Sequence, residues 1–182
     1  MKQESHNSSS TLWLEDYVFQ KTGNKYDIHE PHYQAITNFV LLWGLFESRF
    51  FGNNSSELRV WNYALTDSHA DSETIHETFL FLRKRYVVKD MPNDQFYELG
   101  FSRVDSAGNK RYFKRLAELI DYLCNADTLT KENCACLALI WRFRNNLFHG
   151  NKNLAQIWNS DQELFEIACR YIIAQLDLQD QL

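Results

Sequence analysis

Residues 132–148 carry the pattern that most constrains this chain. The run includes Cys134, Leu137, Leu139, Ile140, Trp141, Phe143, Leu147 and Phe148, with no glycine or proline among them. A stretch of that length without a breaker predicts one helix of about 25 Å, starting at Thr128 or Thr130 and stopped by Gly150. Arg144 interrupts the apolar stripe, because its neighbours three and four positions away are Ile140, Trp141, Leu147 and Phe148. A guanidinium among large hydrophobes needs a partner or a purpose. Arg142 has Ala138, Leu139, Asn145 and Asn146 as the corresponding neighbours and lies nearer the flank, as a structural arginine would. Asn145 and His149 are four apart and share a face, with Arg144 about 100° round the helix. All three can reach one point.

Only 6 Gly and 2 Pro occur in 182 residues, which leaves little punctuation for many short strands and favours long helices. A mostly helical, all-α chain is expected, with residues 1–10 as a disordered lead and 11–182 as a single domain. The net charge of -5 speaks against a general nucleic-acid coat, so any RNA contact must be local. The polar first ten residues do not read as a secretory signal. No apolar run is long enough to cross a bilayer, and a soluble, cytoplasmic protein without membrane attachment is expected. Cys124, Cys134, Cys136 and Cys169 lack paired metal-ligand spacing and read as buried free thiols.

Along the chain, Trp13, Leu14 and Tyr17 suggest a short first helix. Glu30-Pro31 opens a longer one, ended by Gly52, whose inward stripe is Ile36, Phe39, Val40, Trp43, Phe46 and Phe50. This is expected to be the most buried element. Further helices are predicted over 56–66 and 71–88, the latter capped by Asp71, and over 110–125. The last follows the capping box at Ser160 to Glu163 and buries Leu164, Ala168, Tyr171, Ile172 and Leu176. Residues 91–109 are the least regular part, either a small hairpin or a loop.

Glu47 lies four positions from Trp43 and three from Phe50, beside the apolar stripe of its helix. The expectation is that it meets Arg144 and holds the guanidinium by charge-assisted hydrogen bonds; the alternative is that it reaches solvent or another cation. Lys110, Arg111, Lys114 and Arg115, at helical spacing, are the candidate phosphate-contacting patch, although such clusters are more often a solvated face. His69, His76 and the acids near them are spaced too widely for one metal ion, and His29 with His32 fares no better; no metal and no cofactor are expected.

Arg144-Asn145 followed by Leu147-Phe148-His149-Gly150 resembles the Arg-polar-x-x-x-His signature of the HEPN family of helical ribonucleases and nucleotide-binding domains from defence and toxin systems. Arg142 also meets the looser Arg-to-His spacing, but only Arg144 is followed by asparagine at the tighter one. The resemblance implies a four-helix core with short extra helices and a small insertion, dimerising so that two motifs face each other across a cleft. It implies a metal-independent endoribonuclease with Arg144, Asn145 and His149 as its catalytic residues, Glu47 and Lys152 in support, and RNA as substrate. An antitoxin or other regulatory protein is the further partner it suggests. The competing readings are a non-catalytic module of the same family that binds a nucleotide or protein, and a helical interaction protein in which Arg144 only fixes core register.

Overall fold

The computed structural model describes residues 30–66, 71–104, 110–148 and 161–177. They form seven helices and two two-stranded antiparallel hairpins, so the protein is mostly helical. No helix among the described residues is long and apolar enough to cross a membrane. The lead at 1–10, the helix expected at Trp13 to Tyr17, His29, His69, His149 and Lys152 lie outside the described residues.

Helix α1, Pro31–Phe51, begins with proline in its first turn, where no amide partner is required, and ends at Gly52, whose φ of 57° is left-handed and whose amide donates to Glu47 O. Phe39, Trp43 and Phe46 are buried, as the spacing predicts, while Leu41 and Leu45 face outward. Helix α2, Glu57–Ala64, is capped by the Ser56 hydroxyl, which accepts from the Arg59 amide. Helix α3, Ser72–Tyr86, is capped by Asp71, which accepts from the amides of Glu73 and Thr74.

Beyond Tyr86 the structure departs from expectation. The helix predicted to reach Val88 stops, and β1, Val87–Val88, pairs with β2, Met91–Pro92, around Lys89 and Asp90 at φ 52° and 57°. Two successive left-handed residues are what a tight type I′ turn requires, and the β-branched Val87 and Val88 suit the strand. Helix α4, Asp94–Glu98, follows its Asn93 cap. Strands β3, Ser102–Val104, and β4, Lys110–Tyr112, then form the hairpin that was one of the two expectations for this region.

That hairpin takes the start of the helix predicted over 110–125, which begins only at Leu116 and ends at Asn125 as expected. Lys110 and Arg111 stand in β4 opposite Val104 and Arg103, and Lys114 and Arg115 sit in the turn before α5, Leu116–Asn125. The four cations therefore do not line one helical face. Phe113 explains the change: its amide donates to Phe101 O at 2.8 Å, and its ring packs against Phe101, Trp61 and Trp141. Anchoring that aromatic extends the strand pairing past Tyr112 and delays the helix.

Helix α6, Leu129–Phe148, is the centre of the molecule. Every residue over 133–140 is buried, so this helix, and not α1, is the most buried element. The small side chains of Cys134, Ala135, Cys136 and Ala138 let neighbours approach on all sides. Helices α2, α3 and α5 pack round it, and α1 pairs antiparallel with α7, Gln162–Asp177, where Phe39 meets Phe165 and Cys169 Sγ lies 3.9 Å from Ala35 O. Asn133 joins the layers: its Nδ2 donates to Ala64 O at 3.1 Å, and its Oδ1 accepts from Tyr171 and Gln175 at 2.5 and 3.0 Å.

Helices α3 and α6 run in the same direction, with His76 beside Glu132 near their starts and Tyr86 beside Phe143 near their ends. Their first turns hold acids, Glu73 and Glu132, and the last turn of α3 holds Arg83, Lys84 and Arg85. This order complements the α3 dipole at both ends and the α6 dipole at its start.

Candidate functional site

The site lies where a side chain from the last turns of α1 meets one from the last turns of α6. Arg144 Nη2 donates to Glu47 Oε2 at 2.9 Å, and Arg144 Nη1 donates to Asn145 Oδ1 at 3.1 Å. The pair predicted from two charges on two apolar stripes is therefore formed. Its side chains are 24% and 12% exposed, deep enough to limit screening while Arg144 still reaches the surface.

The other oxygen of the carboxylate belongs to Ser55. Its amide donates to Glu47 Oε1 at 3.0 Å and its hydroxyl at 2.5 Å, and its carbonyl accepts from Trp141 Nε1 at 3.1 Å. The connection between α1 and α2 is shaped for this. Gly52 and Asn53 both adopt positive φ, and Arg59 Nη1 donates to Phe51 O at 2.8 Å and Asn54 O at 3.1 Å. Neither Ser55 nor Arg59 was singled out in the sequence, where the asparagines and serines at 53–56 signal only a turn and a cap.

Burial alone would push the Glu47 carboxyl upward, but the Ser55 hydroxyl and amide, and then the Arg144 charge, outweigh it and hold it below the ordinary 4.5. The Trp43 indole N–H contributes to the lowering, yet forms no hydrogen bond of good geometry among the described residues. Its effect is best read as that of a nearby dipole. Glu47 therefore stays a carboxylate across the neutral range, and Arg144 keeps a fixed anion behind it.

Arg142 has the structural role its flank position suggests. Its Nε donates to Leu99 O at 2.7 Å, its Nη2 to Gly100 O, and its guanidinium lies 6.0 Å from the Phe101 ring centre. Asn146 Nδ2 donates to the same Leu99 carbonyl at 2.8 Å. These bonds tie the α4–β3 connection to α6.

Arg144, Asn145 and Glu47 are thus brought together. Lys114 and Arg115 have separate engagements: the Lys114 amide donates to Glu57, and Arg115 Nη1 pairs with Glu118 Oε1 at 2.6 Å. An open cleft of about 380 Å³ lies between the starts of α3 and α6, lined in part by Glu73, His76, Asp127 and Glu132. There His76 Nδ1 is 3.1 Å from both Glu132 oxygens, and no group of three or more side chains among the described residues suits a metal ion.

No family model, curated protein or solved structure matches this chain. The functional argument is therefore carried by its side chains.

Proposed function

We propose that this protein is a metal-independent endoribonuclease of HEPN type, built on a helical core that pairs with a second copy so that two Arg144 sites share a cleft. The observation that carries the reading is the Glu47–Arg144 pair, which positions a partly exposed arginine side chain beside Asn145 in the last turns of α6. Arginine is suited to phosphate because its planar fork matches two phosphoryl oxygens and never loses its charge near neutral pH.

The chemistry requires a base to take the ribose 2′-hydroxyl proton while that oxygen attacks the adjacent phosphorus and the 5′-oxygen leaves. His149 is the base in this reading, since an imidazole titrates near neutral pH. Arg144 stabilises charge on the phosphoryl oxygens, Asn145 orients the reacting groups, and Lys152 adds charge beyond the helix. The products are a 2′,3′-cyclic phosphate and a 5′-hydroxyl. Within a defence or toxin system, a cognate protein would restrain the activity.

The test is cleavage of single-stranded RNA, with end-group analysis, by wild type, Arg144→Ala and His149→Ala in the presence of EDTA. Cleavage by wild type alone is expected, and sedimentation should give a dimer. Cleavage that survives His149→Ala, or wild type that leaves RNA intact, overturns the reading. One observation favours a non-catalytic alternative: both Arg144 Nη atoms bond within the protein, as a register-fixing arginine would. In that case Arg144→Ala lowers stability and intact RNA is recovered from every variant.

A further inference from the structure

We propose that Ser55 is the positioning residue of the Arg144 site, turning the Glu47 carboxylate so that it grips the arginine through one oxygen instead of two. The inference rests on the nuclease reading only for its effect on cleavage; the effect on Glu47 is separate.

A carboxylate facing an arginine frequently takes both of its oxygens to the guanidinium in a two-bond fork. Here Oε1 receives two donors from Ser55, the amide at 3.0 Å and the hydroxyl at 2.5 Å, and Oε2 receives Arg144 Nη2 at 2.9 Å. The carboxylate plane is fixed by this division. Arg144 Nη1 is thereby directed to Asn145, the neighbour whose amide oxygen it reaches at 3.1 Å. Ser55 is itself fixed from α6, through Trp141 Nε1 on its carbonyl. One residue in the α1–α2 connection thus sets both the orientation of Glu47 and its contact with α6.

Alanine at this position keeps the amide and carbonyl bonds and removes only the hydroxyl, so the backbone remains while the carboxylate is loosened. Facing Glu47 are Arg144 from α6, Ser55 from the connection and Trp43 from its own helix; the Ser55 bonds oppose burial most strongly in keeping its carboxyl low. Losing the hydroxyl therefore moves Glu47 upward and leaves Oε1 able to swing toward Arg144.

The experiment is a carbon-detected NMR titration of the glutamate side chains in the full chain, with Glu47 assigned by Glu47→Gln. Wild type, Ser55→Ala and Ser55→Thr are compared, together with the kcat of RNA cleavage at one pH. The Glu47 midpoint is expected to rise in Ser55→Ala and to return in Ser55→Thr. The kcat of RNA cleavage should fall about tenfold or more in Ser55→Ala, as a misplaced guanidinium requires, and recover in Ser55→Thr. If the alanine variant does not fold, Ser55→Cys, a weaker donor of similar size, is titrated instead. A Glu47 midpoint unchanged by loss of the hydroxyl overturns the proposal. A midpoint that moves in a protein whose wild type leaves RNA intact supports Ser55 as the positioning residue and sinks the nuclease reading alone.

Discussion

Arg144 and Glu47 stand 97 positions apart in the chain and meet at 2.9 Å, Nη2 to Oε2. Two residues away, Arg142 bonds backbone carbonyls and no carboxylate among the described residues. The two arginines should separate cleanly by mutation. Arg144→Lys retains charge but loses the planar fork, and on the proposed nuclease reading RNA cleavage is expected to fall at least a hundredfold with far-UV circular dichroism unchanged. Arg142→Ala should instead cost about 1–3 kcal/mol of stability by urea unfolding, with cleavage per folded molecule retained.

Acid stability should depend on Glu47. Its carboxyl is held below 4.5 in the folded protein, so its contribution is complete above that value and is lost as pH falls through the lower folded value. Glu47→Gln should cost about 2 kcal/mol at pH 7 and show a flatter decline in stability below pH 4.5, measured by thermal unfolding across pH. A variant whose acid profile matches wild type would show that the pair contributes nothing to folding.

Asn133 ties its own helix to two others, to α2 through Ala64 and to α7 through Tyr171 and Gln175. Replacing it with alanine strands several buried polar groups together, so the loss should reach about 3 kcal/mol. Chemical denaturation reads this directly, and a loss under about 1 kcal/mol would contradict it.

The thiols should be inert in the native state. Burial pushes Cys134 up to about 12 and Cys169 up to about 11, and lifts Cys136 well above its ordinary value. Iodoacetamide at pH 8 is expected to label these three only after denaturation, as read by intact mass.

Much of this was legible in the residues because the signals were local. Pro31 and Gly52 mark the ends of α1, Asp71 caps α3, and the two charges on apolar stripes anticipated Glu47 meeting Arg144. What escaped depends on long-range packing. Lys89 and Asp90 take positive φ without the usual glycine, and the strand at 110–112 exists because Phe113 is claimed by Phe101, Trp61 and Trp141. The depth of α6 depends on neighbours that enclose its small residues, which periodicity along one helix cannot reveal. Ser55 acquired its role only when α1 and α6 were brought together.

The enclosure of 133–140 on every side has a mechanical consequence for the residue one turn beyond it. Any displacement of α6 would disturb its packing against α2, α3 and α5 together, so Arg144 stands on a support shared with the whole core. The turn at 52–56 bears on the same support from the other side, because Ser55 is bonded at once to Glu47 and to Trp141 of α6.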